Sequence, residues 1–146
     1  GQIALGGWTS ANYASLACTE LPICQGDWQS RLDFAGAFSI PEADNYEFGV
    51  HSYDERMTMH IIHRIGAIVV SAYLIWLAFV LFSKSNSNLL RKLGVTIVVV
   101  LTAQVLLGIS NVVYSLPLTV ATLHNAVAAC LLLVMVMTTY TLYRRV

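Results

Sequence analysis

Three stretches of this sequence carry no charged side chain: Ile65 to Phe82, Leu93 to Tyr114 and Leu116 to Tyr143. As helices at about 1.5 Å per residue, each is long enough to cross roughly 30 Å of hydrocarbon. A water-soluble alternative would have to bury three such helices on every side, and a 146-residue globule lacks the volume for that. The chain is 57% hydrophobic and 11% charged, against about a quarter charged in an ordinary soluble domain. The reading is an all-α integral membrane chain, with antiparallel helices joined by short loops into a bundle.

The few charges define a topology. Every acidic residue lies before Arg56, whereas Lys84, Arg91 and Lys92 fall between the first two spans and Arg144 and Arg145 follow the last. The positive-inside rule places the 83–89 loop and the 144–146 end in the cytoplasm, or in the matrix of a mitochondrion. The long polar segment then lies outside. Residues 1–8 read as the end of a preceding transmembrane helix, and 9–55 as an outer loop with a short amphipathic helix within Trp28 to Phe38, where Leu32, Phe34, Ala35 and Phe38 are expected to be partly buried. Spans are expected at 56–82, 90–113 and 118–143, with an outer turn at 114–117. Trp8, Tyr13 and Trp28 suit the membrane interface, and Pro117 suits the first turn of the last span. No repeat is evident within this length. No nucleic-acid partner is expected.

Cys18 and Cys24 share the outer loop. An oxidising compartment favours a disulfide between them, worth roughly 2 kcal/mol through loop entropy; metal binding is the competing reading. Cys130, in the last span, reads as a small apolar core residue, and His51 as a solvated loop residue.

Ionisable groups inside a bilayer are costly and point to function. His60, His63 and Arg64 head the first span and His124 heads the third. His63 follows Arg56 by the same number of residues as His124 follows Pro117, about 10 Å along a helix. Two imidazoles at equal depth on parallel helices can bind one metal. Gly66 and Ala67 lie one turn from His63, and Ala121, Val127 and Ala128 one turn from His124. Small neighbours leave a flat slot of the kind a porphyrin needs, and two axial histidines complete a six-coordinate heme iron. A zinc site would be incomplete with two ligands. The alternative is a pair of histidines merely hydrogen-bonded between helices. Asn125, Asn111 and Gln104 are candidate partners for the ring nitrogens. Arg64 would pair with a heme propionate or simply anchor its helix. His60 would be a propionate contact, a proton-relay residue or an interfacial histidine.

The segments LGGWTSANYASLACTELPICQGDW, MHIIHRIGA, QVLLGISNVV and LPLTVATLHNAVAA, in that order, resemble the second half of a heme A synthase. The resemblance implies an eight-helix protein of two similar four-helix halves, each with an outer cysteine pair and a histidine pair. It implies that His63 and His124 are axial ligands of a heme b, that Cys18 and Cys24 form the disulfide, and that His60 marks the cofactor-binding half, because the first half resembles ExxHR at that place. The full-length reaction oxidises the methyl group of heme O to the formyl group of heme A. The resemblance places no catalytic residue in this half, which would relay electrons and would not be catalytic alone. Expected partners are the N-terminal half of the same protein, heme O synthase or cytochrome oxidase assembly factors, the lipid bilayer and a second copy of the chain. The expected site is the bacterial cytoplasmic (inner) membrane, or the mitochondrial inner membrane in a eukaryote. Two competing functions are a stand-alone b-type cytochrome that carries electrons and a cofactor-free assembly subunit.

Overall fold

A computed structural model describes residues 1–47 and 49–144. The Arg145 part of the positive-inside reading therefore lies outside the described residues. Among those residues the secondary structure is entirely helical: α1 (Gln2–Ala11), α2 (Phe34–Ala37), α3 (Tyr53–Lys84), α4 (Asn88–Val113) and α5 (Leu118–Tyr143). Three of them, α3, α4 and α5, are long and apolar enough to cross a membrane. Pro117 sits at the N-cap of α5, where its missing N–H costs nothing.

Two compact units divide the chain. The first comprises residues 1–68 and 112–116, the second residues 69–111 and 117–146. In the second unit the core is aliphatic: Leu74, Ala78 and Leu81 of α3 pack with Leu90, Leu93, Ile97 and Leu101 of α4, and Leu131, Val134 and Met135 of α5 lie against them. Gly94 sets the approach of α4 to α3, since a Cβ there would lie 3.0 Å from the Ala78 carbonyl. Close helix contact through small residues is the usual packing device where lipid removes the hydrophobic drive between helices. Large apolar side chains point outward, among them Ile68, Phe79, Val99 and Leu133, a distribution that suits hydrocarbon as the surrounding solvent. Cys130 is among the exposed residues and does not belong to the core. Its flank of α5 faces outward, which a sequence apolar all round does not reveal.

Six threonine hydroxyls of α4 and α5 are satisfied locally. The hydroxyls of Thr96, Thr102, Thr122, Thr138, Thr139 and Thr141 each donate to the carbonyl four residues earlier. That bond lets threonine sit in an apolar medium without an unmet donor.

In the first unit the segment between α1 and α3 folds onto the leading turns of α3. At 32 residues α3 is about 48 Å long, well over the hydrocarbon thickness, and its surplus supplies this platform. Met57 and Ile61 pack with Cys18, Cys24, Trp28 and Leu32, and Met59 with Ala14, Ala37 and Trp8. The Trp8 indole N–H donates to the Ala37 carbonyl at 2.8 Å. Asp33 caps α2 by accepting from the Gly36 amide, and its own amide donates to the Thr58 hydroxyl. The short helix buries Ala37, while Phe34, Ala35 and Phe38 stay exposed; four residues are too few to present an amphipathic face. His51 is also buried, with Nδ1 2.7 Å from Glu55 Oε2 and its ring edge-on to Trp8. It is not a solvated loop residue, because the loop returns over α1 and the helix start.

Candidate functional site

The first unit gathers His60, His63, Arg64, Cys18 and Cys24. On α3, His60 and Arg64 are one turn apart, and the Arg64 Nε–H donates to His60 Nε2 at 3.2 Å. The rest of the guanidinium turns to the outer loop. Nη1 donates to the Glu20 carbonyl and Nη2 to the Cys18 carbonyl, each at 2.6 Å. Nη1 also lies 3.4 Å from Cys18 Sγ. Arg64 thus fastens the cysteine loop to α3, which matches its planar fork of donors better than a single ammonium would. The structure pairs Cys18 with Cys24, their Cα atoms 5.2 Å apart. His60 is buried, and its Nδ1 has no hydrogen-bond partner.

His63 faces α1. The Gln2 amide nitrogen lies 3.0 Å from His63 Nδ1 and donates to the His63 carbonyl at 2.9 Å. One turn along α1, Gly6 lies under the ring: a Cβ there would be 3.0 Å from His63 Cε1. Gly66, one turn past His63, leaves room for the Gln2 amide, which a Cβ at that position would strike.

The second unit treats His124 in the same way, with α4 in the place of α1. The Gln104 amide nitrogen is 3.2 Å from His124 Nε2. A Cβ on Gly108, one turn further, would stand 3.2 Å from His124 Cε1. His124 Nδ1 is buried without a partner. Of the expected ring-nitrogen partners, only Gln104 reaches the histidine: Asn125 is exposed, and the Asn111 side-chain oxygen is buried without a bond.

The sequence reading missed Gln2 and Gly6, which lie in a segment read only as the tail of a helix. The signal was present, because QIALG at the chain start recurs as QVLLG in α4. The residues suit a heme. The His63 and His124 rings each lie against a glycine, and His60 Nδ1, His124 Nδ1 and the Gln2 and Gln104 side-chain oxygens are buried without hydrogen-bond partners. Among the described residues no cluster of three or more His, Cys, Asp or Glu could hold a metal ion.

Comparison with known proteins points the same way. The chain is 52% identical over 147 aligned positions to the heme A synthase of Shewanella oneidensis, covering 99% of this chain and 44% of that protein. It therefore spans less than half the length of that relative. No solved structure matches it. Residues 1–136 match the COX15-CtaA family, described as cytochrome oxidase assembly protein, and the chain, with its three membrane-length helices, belongs to that family of membrane proteins.

Proposed function

We propose that this chain is the C-terminal, heme-holding half of a heme A synthase, with His63 and His124 as axial ligands of a heme b. The observation that carries the reading is the matched setting of the two histidines, each with a glycine under Cε1 and a glutamine amide at a ring nitrogen. The kinship to a heme A synthase supplies the chemical context. A heme with two axial histidines supplies reversible one-electron transfer.

The chain's own residues bind and enclose that group. His63 and His124 hold the iron. Arg64 holds the cysteine loop closed on α3 through the Cys18 and Glu20 carbonyls, and His60 is fixed by Arg64 one turn before His63. The full-length protein is an eight-helix pair of similar halves in the bacterial inner membrane, in which the N-terminal half oxidises the heme O methyl group to the heme A formyl group. Cys18 and Cys24 form a disulfide on the outer side. Further partners are heme O synthase, cytochrome oxidase assembly factors and a second copy.

The test is the visible spectrum of the purified protein, oxidised and dithionite-reduced. Sharp reduced bands of a low-spin b-type heme are expected, lost or converted to high spin in His63→Ala and His124→Ala and milder in His60→Ala. If His60→Ala abolishes heme binding while His63→Ala keeps the low-spin spectrum, the ligand assignment is wrong by one helical turn.

A further inference from the structure

The first unit carries three basic side chains, Arg31, Arg56 and Arg64. Arg31 pairs with Asp54 at 2.6 Å and lies over the Tyr53 ring. Arg64 is engaged by His60 and by the Cys18, Glu20 and Pro22 carbonyls. Arg56 differs. Its Nε is buried and has no hydrogen-bond partner among the described residues. Both neighbouring carboxylates are occupied, Asp54 by Arg31 and Glu55 by His51. Its placement also runs against the local field, because Arg56 is the fourth residue of α3, in the first turn, where the helix dipole favours anions and disfavours a cation. The packing of α3 shows what Arg56 shares a side with. Met59 packs with Trp8, and Gly66 borders Gln2 and Leu5, so that side faces α1. Met57, Ile61 and Arg64 lie under the cysteine loop. At about 100° per residue, the strip between those two sides carries Arg56, His60, His63 and Ala67. Arg56 precedes His63 by two turns on this strip, about 10 Å along the axis.

We propose that Arg56 is the residue that binds a heme propionate, the role that the sequence left open for Arg64. The inference rests on the proposed heme-holding function. A heme carries both carboxylates on one edge, and the ring radius with a propionate chain covers a span of the order that separates His63 from Arg56. A guanidinium presents a planar fork of donors that matches a carboxylate. Arg64 has no fork to offer, since Nε, Nη1 and Nη2 all donate within the first unit. At Arg56 a carboxylate would satisfy the buried Nε donor, and leaving a charged donor unmet is costly. It would also bring negative charge to the first turn of α3, which turns an unfavourable interaction with the helix dipole into a favourable one. An arginine that only anchored the helix at the interface would be indifferent to the charge of the ligand, and that difference is measurable.

The test titrates the full chain in detergent with hemin and with hemin dimethyl ester, which keeps the iron and the ring but has no carboxylate charge. For each porphyrin the ratio of variant to wild-type affinity cancels its own partition into micelles. Arg56→Gln should weaken hemin about tenfold or more, the loss of a charge-assisted bond, and leave the diester unchanged. Arg56→Lys should lose less, and Arg31→Gln, which breaks an exposed ion pair in the same segment, should lose nothing. The melting temperature of heme-free Arg56→Gln should stay level or rise, because a cation leaves the first helical turn. Hemin binding unchanged in Arg56→Gln, or hemin and diester weakened alike, overturns the propionate role; a melting temperature that falls alongside equal weakening identifies a structural role in its place. Uptake of neither porphyrin by the wild-type chain would overturn the heme-holding function itself, and the propionate role with it.

Discussion

Replacing Gly6 by Ala sets two effects of known sign against each other. In a helix interior, Ala is favoured over Gly by about 1 kcal/mol, so the substitution should stabilise α1. The new Cβ would lie 3.0 Å from His63 Cε1, whereas ordinary contact begins at 3.4 Å, so the ring must retreat by about 0.4 Å. At Gly108 the corresponding distance is 3.2 Å and the retreat about 0.2 Å. A ring turned fully 30° off its rotamer costs about 0.5–1.5 kcal/mol, and these displacements are smaller turns. Net stability should therefore stay level or rise in both variants, while the ligand geometry changes more in Gly6→Ala than in Gly108→Ala.

Gly7→Ala is the control. Nothing lies within 4 Å of a Cβ at Gly7, so it should stabilise the helix without touching the histidine. The assay pairs the melting temperature of the heme-free protein with the optical and electron-paramagnetic spectra after hemin loading. The spectral disturbance should rank Gly6→Ala first, Gly108→Ala second and Gly7→Ala not at all. A Gly6→Ala protein as stable as Gly7→Ala, with an unaltered heme spectrum, would refute the seating of His63 on Gly6.

Arg64→Ala should destabilise the cysteine loop by about 3 kcal/mol, since charge-assisted bonds to three loop carbonyls, those of Cys18, Glu20 and Pro22, are lost, and Arg64→Lys should recover less than half; proteolysis rates between Cys18 and Cys24 read the effect. Gly36→Ala should cost roughly 1–3 kcal/mol by thermal melting, because its Cβ would lie 2.6 Å from Asp33 Oδ2 and 2.7 Å from Glu55 Cγ, both already held by hydrogen bonds. After denaturation without reductant, only Cys130 should react with a thiol reagent, and three reactive thiols in protein from an oxidising compartment would remove the disulfide. A reporter placed within Asp44 to Gly49 should be found outside and one in the turn at residues 85–87 inside; the reverse would overturn the topology.

The spans were legible because membrane solvation acts on every residue of a helix, so charge-free length alone marks them. The histidines were legible for the same reason, as polar exceptions in apolar runs. Arg64 was read as a propionate partner or a helix anchor, and the side chain reaches loop carbonyls more than forty positions earlier in the chain. That pairing depends on the path of the 9–55 segment, which has no periodicity to read. His51 escaped for the same reason, since its burial follows from the chain returning over Trp8. Gln2 and Gly6 needed a comparison of two segments rather than a reading of either, because each QxxxG alone is an unremarkable piece of apolar helix.

The buried polar atoms of the molecule are unevenly satisfied. Threonines close their own bonds within a helix turn, and the Thr58 hydroxyl accepts from the Asp33 amide and donates to the Asp54 carbonyl. Against that background, the buried side-chain atoms without a hydrogen-bond partner among the described residues are Gln2 Oε1, His60 Nδ1, Gln104 Oε1 and His124 Nδ1, together with Asn111 Oδ1, Arg56 Nε and Asp54 Oδ1, the last ion-paired to Arg31. Four of the seven belong to histidines at the candidate site or to the glutamines against them. Native proteins leave few buried polar atoms unmet, and those that remain call for an explanation in strain, redox chemistry or a bound group. Strain does not supply one here, because α3, α4 and α5 are long regular helices with no left-handed residue inside them. On the proposed heme-holding function, a bound group would supply the partners these atoms lack.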